Sequence, residues 1–398
     1  MHKARLGFIG AGDFISATHL PTAASSPIMQ VRTIADLNRD LLDKHRRVSP
    51  SVRTTRDSHD VLADPEIDLV VIGTKQDLHA RFIVDSLDAG KWVYCEKPMA
   101  ETPEEIEAVL AAEARNRGRL AIGLNRRFAP AYVHAKRLMQ QTRRPWFISY
   151  RLMGPHLTTG EKDDFYRERP RIIYEGCHIL DLVCWFLDAD PVRVYMSGDR
   201  YRNNCCILEF AEGSNVSFIC GSIGSFCLWK EYMEVFSHAH SIAVSDFVDM
   251  RVRGFAGEHD RLFPLDGGAH GEAIGQFGFD YYESCRVKEI LYNRESMDLI
   301  GRAGMTIEPV RRRTSARTQQ AIDAYRELKQ PYFNSPDKGR RQALEHFVQC
   351  FLDGSTPENA DGAAGARSTQ LGLALLESLE ARAPIEYRAA AASSWRGT

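Results

Sequence analysis

Short apolar runs alternate with helical patterns over the first third of the chain. Five runs predict strands, at positions 5–9, 30–35, 68–74, 91–95 and 119–124. Between the last two, Thr102 and Glu105 form a capping box with Pro103 in the first turn, so a helix is predicted to begin there. Strands that alternate with helices favour a parallel sheet with both faces covered.

The pattern changes after about residue 125, where strands follow one another through short turns. Six further strands are predicted, at 146–153, 192–197, 205–210, 215–221, 232–237 and 241–247. Four helices are predicted around them, at 131–141, 178–187, 338–352 and 364–381. Consecutive strands favour an antiparallel or mixed sheet. We therefore predict an α/β protein with two domains. Residues 1–124 carry a parallel sheet, and residues 125–398 form an α/β domain with an open, largely antiparallel sheet and a helical excursion over 279–336.

Length and charge limit the classes of partner. A chain of 398 residues supports two domains. A formal net charge of −2 gives no overall basic field for nucleic acid or for an acidic membrane surface. The apolar run near the start is broken by glycines and carries Asp13, unlike a secretory peptide, and no stretch of about twenty apolar residues occurs. We therefore expect neither nucleic acid nor a membrane as a partner.

Cysteine and histidine spacing adds two expectations. The nine cysteines are scattered without a Cys-x-x-Cys pair, which fits a reducing compartment, so we expect a cytoplasmic protein. No His-x-x-x-His or clustered Cys/His spacing occurs, so we expect no metal.

A glycine turn follows the first predicted strand and leads into a helix. Gly10 and Gly12 supply the tight turn and close backbone approach that a pyrophosphate needs at a helix N-terminus, which predicts a Rossmann domain. Ile15 stands at the third glycine position, so a plain turn is the alternative. Asp36 ends the next strand, where a carboxylate binds ribose hydroxyls and repels a 2′-phosphate. This predicts NAD rather than NADP, with a loop cap as the alternative role of Asp36.

Short motifs in a fixed order extend along nearly the whole chain outside the excursion. They are Gly10-Ala11-Gly12, His19-Leu20-Pro21, Asp36, Thr74 with His79, the run 89–98 ending in Glu96-Lys97-Pro98, Arg127-Phe128-Ala129-Pro130, Gly176-Cys177-His178-Ile179-Leu180-Asp181 with Trp185, and Gly354-Ser355-Thr356-Pro357. In this order they resemble the Gfo/Idh/MocA oxidoreductase family (glucose-fructose oxidoreductase, inositol dehydrogenase and relatives). The resemblance implies NAD(P)-linked oxidation or reduction at a secondary alcohol of a sugar or polyol. It also implies a homodimer or homotetramer that uses the open sheet for contacts.

The resemblance and the strand ends together assign the cofactor contacts. These are Gly10, Gly12, Asp13, Phe14, Asp36, Thr74, His79, Glu96, Lys97 and Arg127.

Proton transfer is assigned to two residues by the same resemblance. Hydride loss from a carbinol carbon requires that the hydroxyl also lose a proton. Lys97 takes this role, and to act as a base near neutral pH its pKa would have to be lowered by burial or by another cation. His178 contacts the substrate hydroxyl and shares the proton, and Asp181 one helical turn later could hold its tautomer. The alternatives are a surface lysine after a strand and a histidine of the core.

The chain departs from the family four residues before His178. Many relatives carry an aspartate there, whereas this chain has Tyr174 followed by Glu175. In a continuous helix Tyr174 shares the face of His178, so we predict that Tyr174 is catalytic and donates to the substrate. Glu175 then points aside to a neighbouring arginine or a helix N-terminus; the alternative is that Glu175 replaces the family aspartate by a shift of one residue. The predicted substrate contacts are Lys97, Tyr174, Glu175, His178 and Asp181.

The sequence thus predicts an NAD-dependent dehydrogenase for a sugar, a sugar derivative or a cyclitol. Two alternatives stay open. One is a redox-neutral epimerase or glycoside-cleaving enzyme that recycles NAD within the site. The other is a non-catalytic dinucleotide-binding partner or sensor, suggested by the missing aspartate.

Overall fold

The computed structural model describes residues 2–116, 118–154, 169–223, 229–263, 265–266 and 335–388. Except for its last two residues, the excursion predicted over 279–336 lies outside these ranges.

A six-stranded parallel sheet forms the first part of the fold, in the order β3-β2-β1-β4-β5-β6. Its strands are β1 (Ala4–Ile9), β2 (Met29–Ala35), β3 (Arg53–Thr55), β4 (Leu69–Ile72), β5 (Trp92–Cys95) and β6 (Leu120–Ile122). This is the strand order of a Rossmann fold, so the predicted N-terminal sheet is confirmed. The order reverses between β1 and β4, where the loops after the two strands diverge and leave a crevice.

Helices cover both faces of this sheet. They are α1 (Asp13–Ala17), α2 (His19–Ser25), α3 (Arg39–Val48), α4 (His59–Leu62), α5 (His79–Asp88) and α6 (Pro103–Asn116), with a 3₁₀ turn at Gln76–Leu78. Alternate residues of β4 enter different cores: Val70 and Ile72 pack on one side, Leu69 and Val71 on the other. The predicted capping box is present at α6, where the Glu105 amide donates to Thr102 Oγ1 at 3.3 Å and the Thr102 amide to Glu105 Oε2 at 3.2 Å.

A nine-stranded sheet follows, in the order β14-β13-β12-β11-β7-β10-β9-β8-β17. Its strands are β7 (Phe147–Met153), β8 (Pro191–Gly198), β9 (Asn204–Phe210), β10 (Asn215–Gly221), β11 (Glu231–Phe236), β12 (Ser241–Ser245), β13 (Asp249–Arg253), β14 (Arg261–Leu262) and β17 (Ile385–Glu386). Only β7 and β10 run parallel, and the other neighbours are antiparallel. The predicted open, largely antiparallel sheet is therefore confirmed. A separate two-stranded pair joins β15 (Leu265–Asp266) and β16 (Ser335–Pro336).

The later helices divide between the two sheets. They are α7 (Pro130–Met139), α8 (Arg171–Tyr174), α9 (Cys177–Leu187), α10 (Arg340–Asp353) and α11 (Gly362–Ala381), with a 3₁₀ turn at Asn125–Phe128. Leu180 of α9 and Leu371 of α11 share a core with the nine-stranded sheet. Phe347 of α10 instead packs on Trp92 of the first sheet, at 5.2 Å between ring centres. The domain boundary at 124/125 stays a prediction. Across the described ranges, no helix is both long and apolar enough to span a bilayer.

Candidate active site

The glycine turn and Asp36 lie at the carboxyl edge of the parallel sheet. Gly10 has φ +84°, and a Cβ there would lie 2.7 Å from the Gly73 carbonyl oxygen, so glycine is required. A Cβ on Gly12 would meet nothing within 4 Å, which leaves open space at the start of α1. Asp36 accepts from the amides of Ala11 and Asn38, both at 2.8 Å. Asp36 is thus a loop cap, but a carboxylate has about four acceptor positions, so two remain for hydroxyl groups. The turn, the space and the carboxylate together fit a dinucleotide.

Three of the other predicted cofactor contacts lie at the same edge. Asp13 is exposed in the first turn of α1, and Thr74 is half-buried directly after β4. Phe14 is 40% exposed, with its ring edge-on to His19 at 5.6 Å and the Arg340 guanidinium 5.0 Å from its centre. These positions agree with the prediction without testing it.

His79 lies behind the crevice rather than in it. Its side chain is 1% exposed, with Nδ1 2.8 Å from the Pro98 carbonyl and Nε2 3.3 Å from the Thr74 carbonyl. Burial lowers the pKa of His79, which favours the neutral ring. His79 therefore holds the loops after β4 and β5 together, and the predicted direct contact with a cofactor has no support from its placement.

The Glu96 carboxylate is also bonded to a side chain of the protein. Its Oε1 lies 2.7 Å from Nε2 of the buried His19. Burial alone would raise the pKa of Glu96, but the hydrogen bond and charge of His19 keep it below its usual value. The pair fixes the backbone that leads into Lys97.

Lys97 is an ion-paired ammonium at the end of β5. Its Nζ donates to the Tyr174 carbonyl at 2.5 Å and lies 3.5 Å from Glu175 Oε1. Burial is the largest single effect and lowers the pKa of Lys97, but the negative charges around it, Glu175 first among them and Glu96 included, together outweigh burial, and the pKa is raised. The condition for Lys97 to act as a base, a lowered pKa, is therefore not met. Lys97 is a cation that could stabilise an alkoxide.

The segment before His178 is not a continuous helix, so the premise that placed Tyr174 beside His178 is wrong. Helix α8 ends at Tyr174 and α9 begins at Cys177. At the break, Glu175 turns toward Lys97, and its other oxygen accepts from Lys230 at 3.0 Å. Burial, then a hydrogen bond and the charge of Glu101, raise the pKa of Tyr174. The Tyr174 side chain thus contacts Glu101. Glu175 is bonded to two lysines rather than to the predicted arginine, and it supplies the carboxylate beside Lys97.

His178 is a buried, neutral imidazole. It is 7% exposed, and burial followed by the charges of Arg126 and Lys97 brings its pKa well below the usual value. Among the residues that the structure describes, none forms a hydrogen bond with its Nδ1. A neutral imidazole has one unprotonated ring nitrogen, which can accept a proton from a substrate hydroxyl.

Asp181 does not hold the tautomer of His178 as predicted, because Arg127 occupies its carboxylate. Arg127 Nε donates to Asp181 Oδ2 at 2.8 Å, and Nη2 contacts the other oxygen. This buried pair ties the turn after β6 to α9. Arg127 is thereby held at the crevice, and its cofactor contact remains a prediction.

A buried cluster that the sequence did not indicate adjoins His178. Arg126 makes two hydrogen bonds to Glu231, at 2.8 and 2.7 Å, and Lys338 Nζ lies 3.0 Å from Glu231 Oε1. The charges of Arg126 and Lys338 keep the pKa of Glu231 far below its usual value despite burial. The one indication in the sequence was the alternation of β11, in which Glu231 falls on the same inward face as Met233 and Val235. Among the described residues, no group of three or more His, Cys, Asp or Glu side chains is placed to hold a metal.

Comparisons with known proteins support the recognised family. Residues 4–124 match the Gfo/Idh/MocA oxidoreductase family, NAD-binding Rossmann fold. The chain is 30% identical over 202 residues to inositol 2-dehydrogenase of Salmonella typhimurium, which covers 48% of this chain and 57% of that protein. The chain thus spans just over half the length of this relative.

Solved structures share the fold over nearly the whole chain. A putative myo-inositol dehydrogenase from Sinorhizobium meliloti superposes with a TM-score of 0.68 at 18% identity, covering 97% of this chain and 100% of that one. The WlbA dehydrogenase from Bordetella pertussis, in complex with NADH and UDP-GlcNAcA, gives 0.68 at 17% identity, covering 97% and 98%. At these identities the likeness establishes the fold.

Proposed function

We propose that this chain, whose residues 4–124 match the Gfo/Idh/MocA oxidoreductase family, is an NAD-dependent dehydrogenase for a secondary alcohol of a sugar, sugar derivative or cyclitol. The observation that carries this proposal is the Lys97–Glu175 ion pair beside the neutral His178. Oxidation of a carbinol requires stabilisation of the developing alkoxide, which the Lys97 cation provides, and acceptance of the hydroxyl proton, which His178 provides.

Each residue has a distinct task in this proposal. A bound nicotinamide supplies the acceptor for the hydride that leaves the carbinol carbon. Lys97 donates to the substrate oxygen and stabilises the negative charge that develops there. The neutral ring of His178 accepts the hydroxyl proton, and in the reverse direction returns it to the carbonyl oxygen. Glu175 is a positioning residue, because it holds the Lys97 ammonium in place and keeps it charged.

The preference for NAD over NADP is supported by Asp36. A carboxylate at the end of β2 accepts from ribose hydroxyls and repels a 2′-phosphate. Glycines 10 and 12, with Asp13, Phe14, Thr74, Lys97 and Arg127, are the proposed surroundings of the cofactor.

A homodimer or homotetramer is proposed on the basis of the nine-stranded sheet. Helices cover one of its faces, whereas the other carries exposed Phe147, Ile207, Ile219 and Phe236. Exposed apolar side chains grouped on one face are typical of contact surfaces. Location in the cytoplasm stays a prediction; the seven cysteines in the described ranges are free thiols, in keeping with a reducing compartment.

The test is the absorbance of reduced nicotinamide when the protein is mixed with NAD and a panel of polyols and sugars. We expect net reduction with at least one ring alcohol, and its loss in Lys97→Ala at unchanged NAD binding. Product without net reduction would instead indicate the epimerase or glycoside-cleaving alternative. NAD binding without any product would indicate a sensor.

A further inference from the structure

Lys230 lies beside the proposed catalytic residues but has no part in the proposed proton transfer. It precedes β11, its side chain is 28% exposed, and its Nζ donates to Glu175 Oε2 at 3.0 Å. Glu175 Oε1 faces Lys97 at 3.5 Å, so one carboxylate lies between the two ammonium groups. Both ammonium groups therefore flank the same carboxylate, and both lysine side chains are partly exposed, 17% for Lys97 and 28% for Lys230. An ammonium has three N–H donors, and Glu175 takes one from Lys230.

Positive charge exceeds negative charge around this pair. In the part of the chain that the structure describes, the charged groups at Glu175, Glu231 and Lys338 include four cations, Lys97, Lys230, Arg126 and Lys338, and three carboxylates, Glu175, Glu231 and Asp246. Arg171 also acts on Glu175, but it has further interactions of its own and is not counted among the four. Two further carboxylates nearby, Glu96 and Asp181, are bonded to His19 and Arg127.

Two cations also act on Lys338, although burial is the largest effect on its pKa. Its Nζ is 3.0 Å from a carboxylate oxygen of Glu231. Even so, burial together with the charges of Lys230 and Arg126 lowers the pKa of Lys338 to about 8. Crowded cations of this kind gain from an added anion.

We propose that the substrate is an anionic ring alcohol, a sugar acid or a sugar phosphate, whose carboxylate or phosphate binds Lys230 while its secondary alcohol lies at Lys97 and His178. This inference rests on the proposed dehydrogenase function and narrows its substrate class. The anion takes the remaining donors of Lys230, and Glu175 stays between the two lysines. Lys230 thereby selects the substrate, whereas Lys97 acts on the reacting oxygen.

The test is calorimetric titration of the protein with bound NADH, using neutral compounds and their charged counterparts. Glucose, galactose and myo-inositol are the neutral probes; glucuronate, galacturonate and glucose 6-phosphate are the charged ones. We expect at least one charged probe to bind about tenfold or more tightly than its neutral counterpart, because charge-assisted hydrogen bonds are about twice as strong as neutral ones. The carboxylate and phosphate arms show which anion is preferred.

Three variants make the assignment specific. Lys230→Gln should abolish the preference without weakening the neutral probes, and Lys230→Arg should retain it. Lys3→Gln is the matched control, because Lys3 is exposed before β1 at the opposite edge of the sheet. Equal affinity for neutral and charged probes, no binding of any probe, or a preference that survives in Lys230→Gln would overturn the proposal.

Turnover with NAD separates this inference from the function on which it rests. Reduction of NAD by neutral alcohols at least as efficiently as by acids, without preferential binding of acids, contradicts the anionic substrate and leaves the dehydrogenase intact. Tight binding of an acid without any reduction of NAD supports the anion site and contradicts the dehydrogenase.

Discussion

The state of Lys97 is decided by two opposing effects on one side chain. Burial disfavours the ammonium, while the negative charges around it, of which Glu175 contributes most, favour it and together prevail. The same surroundings act differently on His178, because burial and neighbouring cations both disfavour its charged form. One small site therefore holds a protonated lysine beside a neutral histidine, which divides charge stabilisation from proton acceptance.

Comparing Glu175→Gln with Tyr174→Phe tests this division. We expect Glu175→Gln to lower kcat about tenfold to a hundredfold at saturating NAD, because the ion pair that holds the Lys97 ammonium in place is lost and small misplacements cost up to about 10²-fold. Tyr174→Phe should change kcat little, because the tyrosine side chain contacts Glu101. If kcat were unchanged in Glu175→Gln but strongly lowered in Tyr174→Phe, Tyr174 would be the catalytic residue, as the sequence predicted.

The pH profile gives a second measure of the role of Glu175. Without the charge that raises the pKa of Lys97, burial dominates and that pKa falls. The alkaline limb of the kcat profile should therefore move to lower pH in Glu175→Gln. A purely structural defect would lower the rate without moving the limb.

Asp36→Ser tests the cofactor preference. Serine removes the negative charge that repels a 2′-phosphate but still caps a turn. We expect the ratio of Kd for NADP to Kd for NAD to fall about tenfold or more, measured by fluorescence titration of the reduced cofactors. Wild-type protein that binds NADP as tightly as NAD would contradict the assignment.

The predictable residues are those fixed by local backbone requirements. Gly10 needs a positive φ, and Asp36 follows directly from the end of a strand, so both are readable from the sequence. Glu175 and Glu231 are not, because their partners are 78 and 105 residues away. Only the path of the chain through the second sheet brings them to Lys97 and Arg126.

At the scale of elements, strong apolar patterns were predicted well and weak ones were missed. The continuous run of β4 and the alternation in β10 located both strands. Strand β3 has three polar residues at the sheet edge and gives no apolar signal. The break between α8 and α9 was missed as well, since Glu175 and Gly176 are too short an interruption to disturb a helical pattern.

A contact between α6 and α11 makes the stability of the fold depend on pH. Glu113 of α6 accepts from the Gly362 amide at the start of α11, at 3.1 Å. Burial, with a contribution from Asp361, raises the pKa of Glu113 to about 7 although the amide bond opposes this. Because the folded-state pKa is raised, the contribution of Glu113 is fully present below its unfolded pKa of 4.5 and is lost as pH rises through 7.

Glu113→Gln should remove this dependence, because the amide is neutral at every pH. We expect the thermal midpoint of the variant minus that of the wild type to be larger at pH 7.5 than at pH 5.5. Glu107→Gln is the control, since Glu107 is exposed on the same helix. A difference that is equal at both pH values would show that Glu113 is already ionised in the folded protein at pH 5.5.

At the scale of the molecule, the two sheets differ in how completely they are covered. The parallel sheet is buried on both faces, as β4 shows. The nine-stranded sheet has one covered face, and its other face leaves Phe147 and Phe236 side by side as a cross-strand pair, 53% and 44% exposed. Exposed apolar pairs in a sheet are costly in water and favour burial against another surface.

Placing charges on this face tests whether copies of the chain associate through it. Ile207 of β9 and Ile219 of β10 are diagonal neighbours there, since Ile219 pairs with Cys205. We expect Ile207→Glu with Ile219→Glu to reduce the mass by a factor of two or more in light scattering after gel filtration, because buried unpaired carboxylates strongly oppose association. Val133→Glu is the control, because Val133 is similarly exposed but lies on α7, away from this face. The fold should tolerate the double variant and Val133→Glu, because Ile207, Ile219 and Val133 are all exposed in one copy of the chain. A monomeric wild type, or an unchanged mass in the double variant, would show that the open face is not the contact surface.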